Sequence, residues 1–334
     1  MENNTTDINC ILDLSEAELP ILLVLTLIFN SVSLLILNRM KVLTETIDHL
    51  LVTTLTYNDM ISTLLYTFMW IGSWISCGQM LQNITCDIFG WLGTITVIWS
   101  AGIVVVMSGC RYLALVRPLY YRLHVNAKSV KIGLVGFLAL FLVMVTFPLV
   151  GLASPYYYYS SNMVCAYNFT PGDGGLFHRC ILGIISVFGL LTVIVILFFN
   201  ISIVGQIRKT ASVGHSDPTK MSSVLNNKRT AITSVTLVVS LVYVLTYGPF
   251  LSRVLYDVIY NIKSQDRLDH SITMALLFLS PLLNPIMYVL FNKKHRACLM
   301  GLIKSMCAKI TCRKSIQENS ITENDGKEES RGQV

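Results

Sequence analysis

VVVMSGCRYLALVRPLYY, residues 104–121, begins as an apolar run and then sets Arg111 beside Cys110, with Arg117 and Pro118 close behind. A guanidinium at the end of such a run is costly unless it meets water or serves a purpose, and the rest of the chain decides which. Of 334 residues, 53% are hydrophobic and only 13% charged, with a mean hydropathy of +0.61. No ordinary soluble domain has this balance. Lipid offers the backbone no hydrogen-bond partner, so about 30 Å of hydrocarbon is crossed by a helix of roughly 20 apolar residues. Seven segments meet that requirement, over residues 20–40, 48–76, 84–114, 128–153, 177–206, 228–260 and 269–292. The quoted stretch is the inner end of the third. The predicted fold is an all-α membrane protein, a seven-transmembrane helix bundle.

Orientation follows from the 25 Lys and Arg: the first 38 residues hold none, and only Arg179, Arg253, Lys263 and Arg267 map to the outer half. The others flank the opposite ends, which predicts a plasma-membrane protein with its N-terminus outside and C-terminus inside. The net charge of +6 is therefore a topology signal and not a nucleic-acid footprint. Residues 1–19 form a polar outer segment with no basic stretch before the first apolar run, so that run is expected to act as the insertion signal. Glycosylation triplets begin at Asn3, Asn4, Asn83 and Asn168 on the outer side, whereas a fifth, Asn200-Ile201-Ser202, falls inside the fifth span where no transferase reaches. Cys86 and Cys165 both fall in an oxidising compartment and are expected to be bridged. Cys10, Cys77 and Cys180 also lie near that face, and the sequence assigns no pairing among them.

Several marks occur in order: Asn30 in the first span, Asp59 in the second, Cys86 and Arg111-Tyr112 bounding the third, Pro249 in the sixth, and Asn284-Pro285-Ile286-Met287-Tyr288 in the seventh. Together they resemble the rhodopsin-like G-protein-coupled receptors, over residues 20–307. The 25 residues from Cys86 to Arg111 agree, spanning roughly 37 Å at about 1.5 Å each. The resemblance implies a receptor, not an enzyme, that passes an extracellular ligand signal to a heterotrimeric G protein. It assigns switching and coupling to Arg111, Tyr112, Tyr247, Pro249, Asn284, Pro285 and Tyr288. It also implies a polar cavity of Asp59, Ser100, Ser280 and Asn284 able to hold a sodium ion. A protonated Asp59 bonded to Asn284 is the alternative there. No other cofactor or metal is implied.

Departures from the family pattern carry information. Cys110 stands where the family has an acid beside the arginine, and Asn226-Asn227-Lys228-Arg229 at the start of the sixth span supplies none either. Arg111 is thus expected to lack a carboxylate restraint, with basal signalling as the result. The fourth span has no tryptophan, Thr192 replaces the usual proline of the fifth, and Asn200 its inner tyrosine. Thr246-Tyr247-Gly248-Pro249 replaces the usual Cys-Trp-x-Pro.

Candidate ligand contacts are Trp74, Trp91, Arg179, Tyr243, Tyr247 and Arg253. Gly93 stands where amine receptors carry an aspartate, which argues against a biogenic amine. Arg253 either meets an anionic ligand group or pairs with Asp257 one turn on. The segments PLVGLASPYYYYSSNMVCAYNFTPGDGG (148–175) and NDMISTLLYT (58–67) resemble prostanoid receptors locally. Their helix-seven arginine is matched by Ala275, however, so a lipid ligand is implied without its carboxylate contact.

FNKKHRACLMGLIKSMC (291–307) mixes basic and apolar residues as an amphipathic surface helix does. It predicts a short eighth helix over 293–312, with Cys307 and Cys312 as palmitoylation candidates. Residues 313–334 read as a disordered tail whose Ser315, Ser320, Thr322 and Ser330 are candidate sites for receptor kinases and arrestin recruitment. A seven-helix transporter or channel is the competing class. It calls for repeated halves or interrupted helices with several mid-membrane charges, whereas Asp59 is the only acid deep in a span.

Overall fold

The computed structural model describes residues 18–41, 47–76, 84–159, 163–172, 174–213, 220–262, 268–291, 295–302 and 304. Helices α1 (Glu18–Lys41), α2 (Ile47–Ser76), α3 (Ile84–Val116), α4 (Pro118–His124) and α5 (Ala127–Thr146) are followed by strands β1 (Tyr157–Tyr159) and β2 (Val164–Ala166). Then come α6 (Gly175–Val213), α7 (Lys220–Tyr260) and α8 (Leu268–Phe291), with a short helix α9 over 295–302. The seven predicted spans are α1, α2, α3, α5, α6, α7 and α8. α3 is central, packing on α2, α5, α6 and α7, while α8 closes the ring against α1 and α7.

The long helices turn apolar side chains outward, among them Ile28, Leu64, Val143 and Phe198, all more than half exposed. Lipid covers such a surface without penalty. Six of the seven helices are long and apolar enough to cross a bilayer by composition alone. α2 is the exception because Asn58, Asp59, Ser62, Thr63 and Ser73 lie along it, and all are buried inside the bundle.

Proline positions account for the irregularities. Pro285 cannot donate to the Pro281 carbonyl four residues back, and Asn30 Nδ2 of α1 donates to that oxygen at 2.9 Å and to Thr26 O at 2.9 Å. One asparagine thereby satisfies an orphaned carbonyl on a neighbouring helix. Asn30→Ala is expected to cost about 1–3 kcal/mol, the typical penalty of stranding a buried acceptor, read as a lowered thermal midpoint of the purified protein. Pro118 separates α3 from α4. The fourth span was expected to run to residue 153 but ends at Thr146. Pro148 supplies no amide for another helical turn, and the chain leaves through Gly151 at φ 73°.

β1 and β2 form an antiparallel hairpin in register Tyr158 to Cys165. A disulfide joins Cys165 to Cys86 at the start of α3, at the end of the bundle that the charge asymmetry predicts to face the oxidising outer side. The hairpin lies tight on α3: a side chain at Gly90 would meet the Tyr156 ring at 2.6 Å. Tyr156 N donates to Asp87 Oδ1 at 3.1 Å and its hydroxyl to Val145 O at 2.7 Å, and Tyr158 is hydrogen-bonded to Ser73. Cys180 is free and exposed. Cys10, Cys77, Cys307 and Cys312 lie outside the described residues, as do Asn3, Asn4, Asn83, Lys263, Arg267 and the tail from 313. Of the proposed amphipathic helix 293–312, the described part is helical over 295–302.

Candidate functional site

Two cavities lie back to back beneath the hairpin. The first, about 750 Å³ of space partly open to solvent, sits between α1, α2, α3, α7 and α8. The second, about 660 Å³ on the same terms, sits between α3, α5, α6 and α7. Thr94, Val97, Phe169, Tyr247, Phe250 and Leu277 line both. Tyr247 thus stands between the two cavities, stacked on Tyr243 at 4.2 Å and reaching Val97 O with its hydroxyl at 3.4 Å. Tyr243 lines the second cavity.

Four other ligand candidates fall outside the described lining of both cavities. Trp74 is 46% exposed and stacks on Trp70, in the manner of an interfacial aromatic. Trp91 Nε1 donates to Thr146 Oγ1 at 3.3 Å and ties α3 to α5. Arg179 Nε and Nη2 donate to Val258 O at 2.8 Å and Ile259 O at 3.0 Å, so this cation caps the last carbonyls of α7. Arg253 pairs with Asp257 at 2.5 Å, with both side chains buried, and its guanidinium stands 5.5 Å from the Phe250 ring centroid. Helical spacing places the partners together, and α7 then closes through Asn261 at φ 51° with Ile262 N on Asp257 O. Arg253→Gln and Asp257→Asn are expected to show a coupling of about 1–3 kcal/mol in a double-mutant cycle on thermal stability. Additive effects would mean the pair is not a structural unit.

Asn168 was expected to be a glycosylation acceptor. It is only 5% exposed, and its Oδ1 accepts from Thr170 N at 2.9 Å. A glycan on that amide is incompatible with this packing. The neighbouring Tyr156 and Tyr167 hydroxyls are held above the usual phenol range, chiefly by burial.

Below the first cavity lies the polar core. Asp59 Oδ2 accepts from Asn284 Nδ2 at 2.9 Å; Asp59 and Ser100 line the cavity together, and Ser280 is buried at 3% exposure. One carboxylate with hydroxyl and amide oxygens is a hard donor set suited to sodium rather than to a transition metal. Among the described residues no cluster of three His, Cys, Asp or Glu exists.

At the inner end, Arg111 forms an ion pair with Asp48 in the first turn of α2. This overturns the expectation that no carboxylate restrains it. The acid comes from a different helix, where it also meets the positive end of the α2 dipole. The two side chains are 12% and 27% exposed, so solvent screens the pair only partly. Tyr121 of α4, beside them, is held above the ordinary phenol range by burial first and by the Asp48 charge second. Three further contacts escaped sequence reasoning or were read only as positions. Ser108 of α3 and Ser240 of α7 share a buried hydroxyl pair at 2.8 Å. Tyr112 stacks on Phe199 of α6 at 5.0 Å. Tyr288 is fully buried, with no hydrogen-bond partner for its hydroxyl among the described residues, while its carbonyl faces His295 Nδ1 of α9 at 3.2 Å. Burial holds that imidazole below its usual pKa, which favours the neutral ring with Nδ1–H donating.

The arrangement joins an outer cavity to an inner charge pair through two proline-bearing helices. A crystal structure of squid rhodopsin superposes with a TM-score of 0.71 over 86% of this chain and 83% of that one, at 15% sequence identity, which shows a shared fold. A comparison with curated proteins finds no significant match. The family described as "7 transmembrane receptor (rhodopsin family)" matches residues 29–288, from the asparagine of α1 to the last tyrosine of the α8 motif. The chain belongs to the rhodopsin family of seven-transmembrane receptors.

Proposed function

We propose that this receptor passes the signal of a largely apolar extracellular or membrane-borne ligand, lodged beneath the hairpin, to a heterotrimeric G protein at the Arg111 face. The observation that carries this reading is the Arg111–Asp48 pair at the inner end of α3, a charge held by one partner that a G-protein contact can replace. Ser108–Ser240 beside it ties α3 to α7 in the same resting arrangement. The cavity linings favour a lipid over an anion, since Arg179 and Arg253 are committed to α7 and stand outside them. Sodium at Asp59, phosphorylation of the tail followed by arrestin binding, palmitoylation at Cys307 or Cys312, and plasma-membrane residence with an outer N-terminus complete the proposal. G-protein dissociation in cells expressing the receptor, screened against lipid and peptide libraries, tests it. An agonist response that Arg111→Ala abolishes at matched surface expression is expected, and one that survives the substitution overturns it.

A further inference from the structure

We infer that an uncharged lipid reaches the second cavity sideways from the bilayer, through the seam between α5 and α6. The inference rests on the reading that the ligand lies beneath the hairpin. Three observations carry it: among the described residues the roof is closely packed, the side wall is thin, and the cavity lining is free of charge.

The roof is the chain from Val164 to Thr170. Val164, Cys165, Ala166 and Tyr167 are at most 7% exposed, and Cys165 is bonded to α3. Tyr159 holds the next residues in place, its hydroxyl donating to Tyr167 O at 3.1 Å and accepting from Phe169 N at 3.2 Å. Phe169 then meets the edge of Phe250 at 4.9 Å between ring centroids. A bulky ligand arriving from water would have to undo a disulfide-anchored segment held by successive hydrogen bonds.

The side wall is different. α6 packs along α7 and α3, and α5 packs along α3, but α5 and α6 do not pack along each other. Ring pairs bridge them at two levels, Phe147 with Phe177 and Phe141 with Phe188, at 5.7 and 6.4 Å. Phe177 and Phe188 are 50% and 44% exposed on the lipid face, where rotamers exchange rapidly. Phe137, Ile185, Gly189 and Thr192 line the cavity while remaining partly exposed on the helix surface. Along this seam the cavity lining itself reaches the outer surface of the bundle.

Chemistry selects the occupant. No charged residue is found in the cavity lining among the described residues. The Thr94 and Thr192 hydroxyls donate to Gly90 O and Gly189 O, each at 2.7 Å. An ionised headgroup would be stranded there. What fits is a mainly hydrocarbon molecule with one or two hydroxyl or carbonyl groups.

The test uses the full-length receptor in phosphatidylcholine vesicles containing a long-chain alcohol that bears a diazirine. After illumination, peptide mapping is expected to find label on Tyr243 or Leu251, which are 2% and 7% exposed and face the cavity from α7. Phe147→Trp and Phe188→Trp, which enlarge a ring bridging the seam from either helix without lining the cavity, should each cut that label by about tenfold while leaving labelling of the lipid-facing Ile194 unchanged. Label confined to surface positions such as Ile194 in the unaltered receptor overturns the inference without any variant. Label on Tyr243 that neither tryptophan reduces overturns the route. G-protein activation by a water-soluble agonist with Tyr243 unlabelled would leave the receptor reading standing and sink this one; labelling without activation by any library member would do the reverse.

Discussion

Asp48→Asn is expected to raise ligand-independent G-protein activation, shifting the ratio of active to inactive receptor about tenfold. Such a shift corresponds to ~1.4 kcal/mol, within reach of a charge pair whose side chains are 12% and 27% exposed. Arg111 has Cys110 as its neighbour in sequence, so without Asp48 no adjacent acid holds it. Low basal signalling is accordingly expected of the unaltered receptor, in place of the raised level that Cys110 alone suggested. Cys110→Asp in the Asp48→Asn background should return activity toward the resting level by supplying a carboxylate from α3 itself. Arg111→Ala should abolish agonist coupling. All are measured as G-protein activation at matched surface expression, and an Asp48→Asn receptor indistinguishable from the unaltered one would remove this pair from the resting state.

Cys165→Ser should have the largest effect on folding. The bridge joins residues 79 apart, and closing a loop of that size constrains the unfolded chain by about 4–5 kcal/mol in the chain-entropy account. Loss of the bridge also frees β2, whose Ala166 lines the first cavity and which leads directly into Tyr167 and Phe169 over the second. Surface expression is expected to fall several-fold, and Cys86→Ser should match it, because either change removes the same bond. Thiol labelling of intact cells supplies the control: Cys180, exposed and free, should react in all three proteins, and Cys86 should react only in Cys165→Ser. Reaction of both Cys86 and Cys165 in the unaltered receptor would contradict the structure.

The parts legible in the sequence are those set by local rules. Apolar runs of the required length located the seven helices, and compartment and placement located the disulfide. The i, i+4 spacing offered Arg253–Asp257 as one of two readings, because helical geometry alone brings those side chains together. Contacts made across helices were not legible. Asp48 and Arg111 are far apart in the chain, and nothing in either neighbourhood names the other. An acid in the first turn of a helix at the inner face was the available signal, but it also has a sufficient local explanation in the helix dipole. Arg179 shows the converse: a cation at an outer helix end resembles a ligand contact until the carbonyls of a neighbouring helix are found within its reach. The early end of α5 was readable, since Pro148 lies within the segment assigned to it.

That cap on α7 bears on how the receptor can move. Arg179 of α6 moors the end of α7 above Pro249, and the Arg253–Asp257 pair, internal to α7, stiffens that turn, so the helix behaves as a lever with its fulcrum at the proline and its free arm inside. At about 1.5 Å per residue the arm from Pro249 down to Ser240 is about 13 Å long, and a swing of about 15° carries Ser240 roughly 3.5 Å. The Ser108–Ser240 pair is 2.8 Å long and does not survive such a displacement. A small tilt beneath Tyr247 is thus amplified into an all-or-none release at the inner face, and the upper end of the same helix need not shift at all.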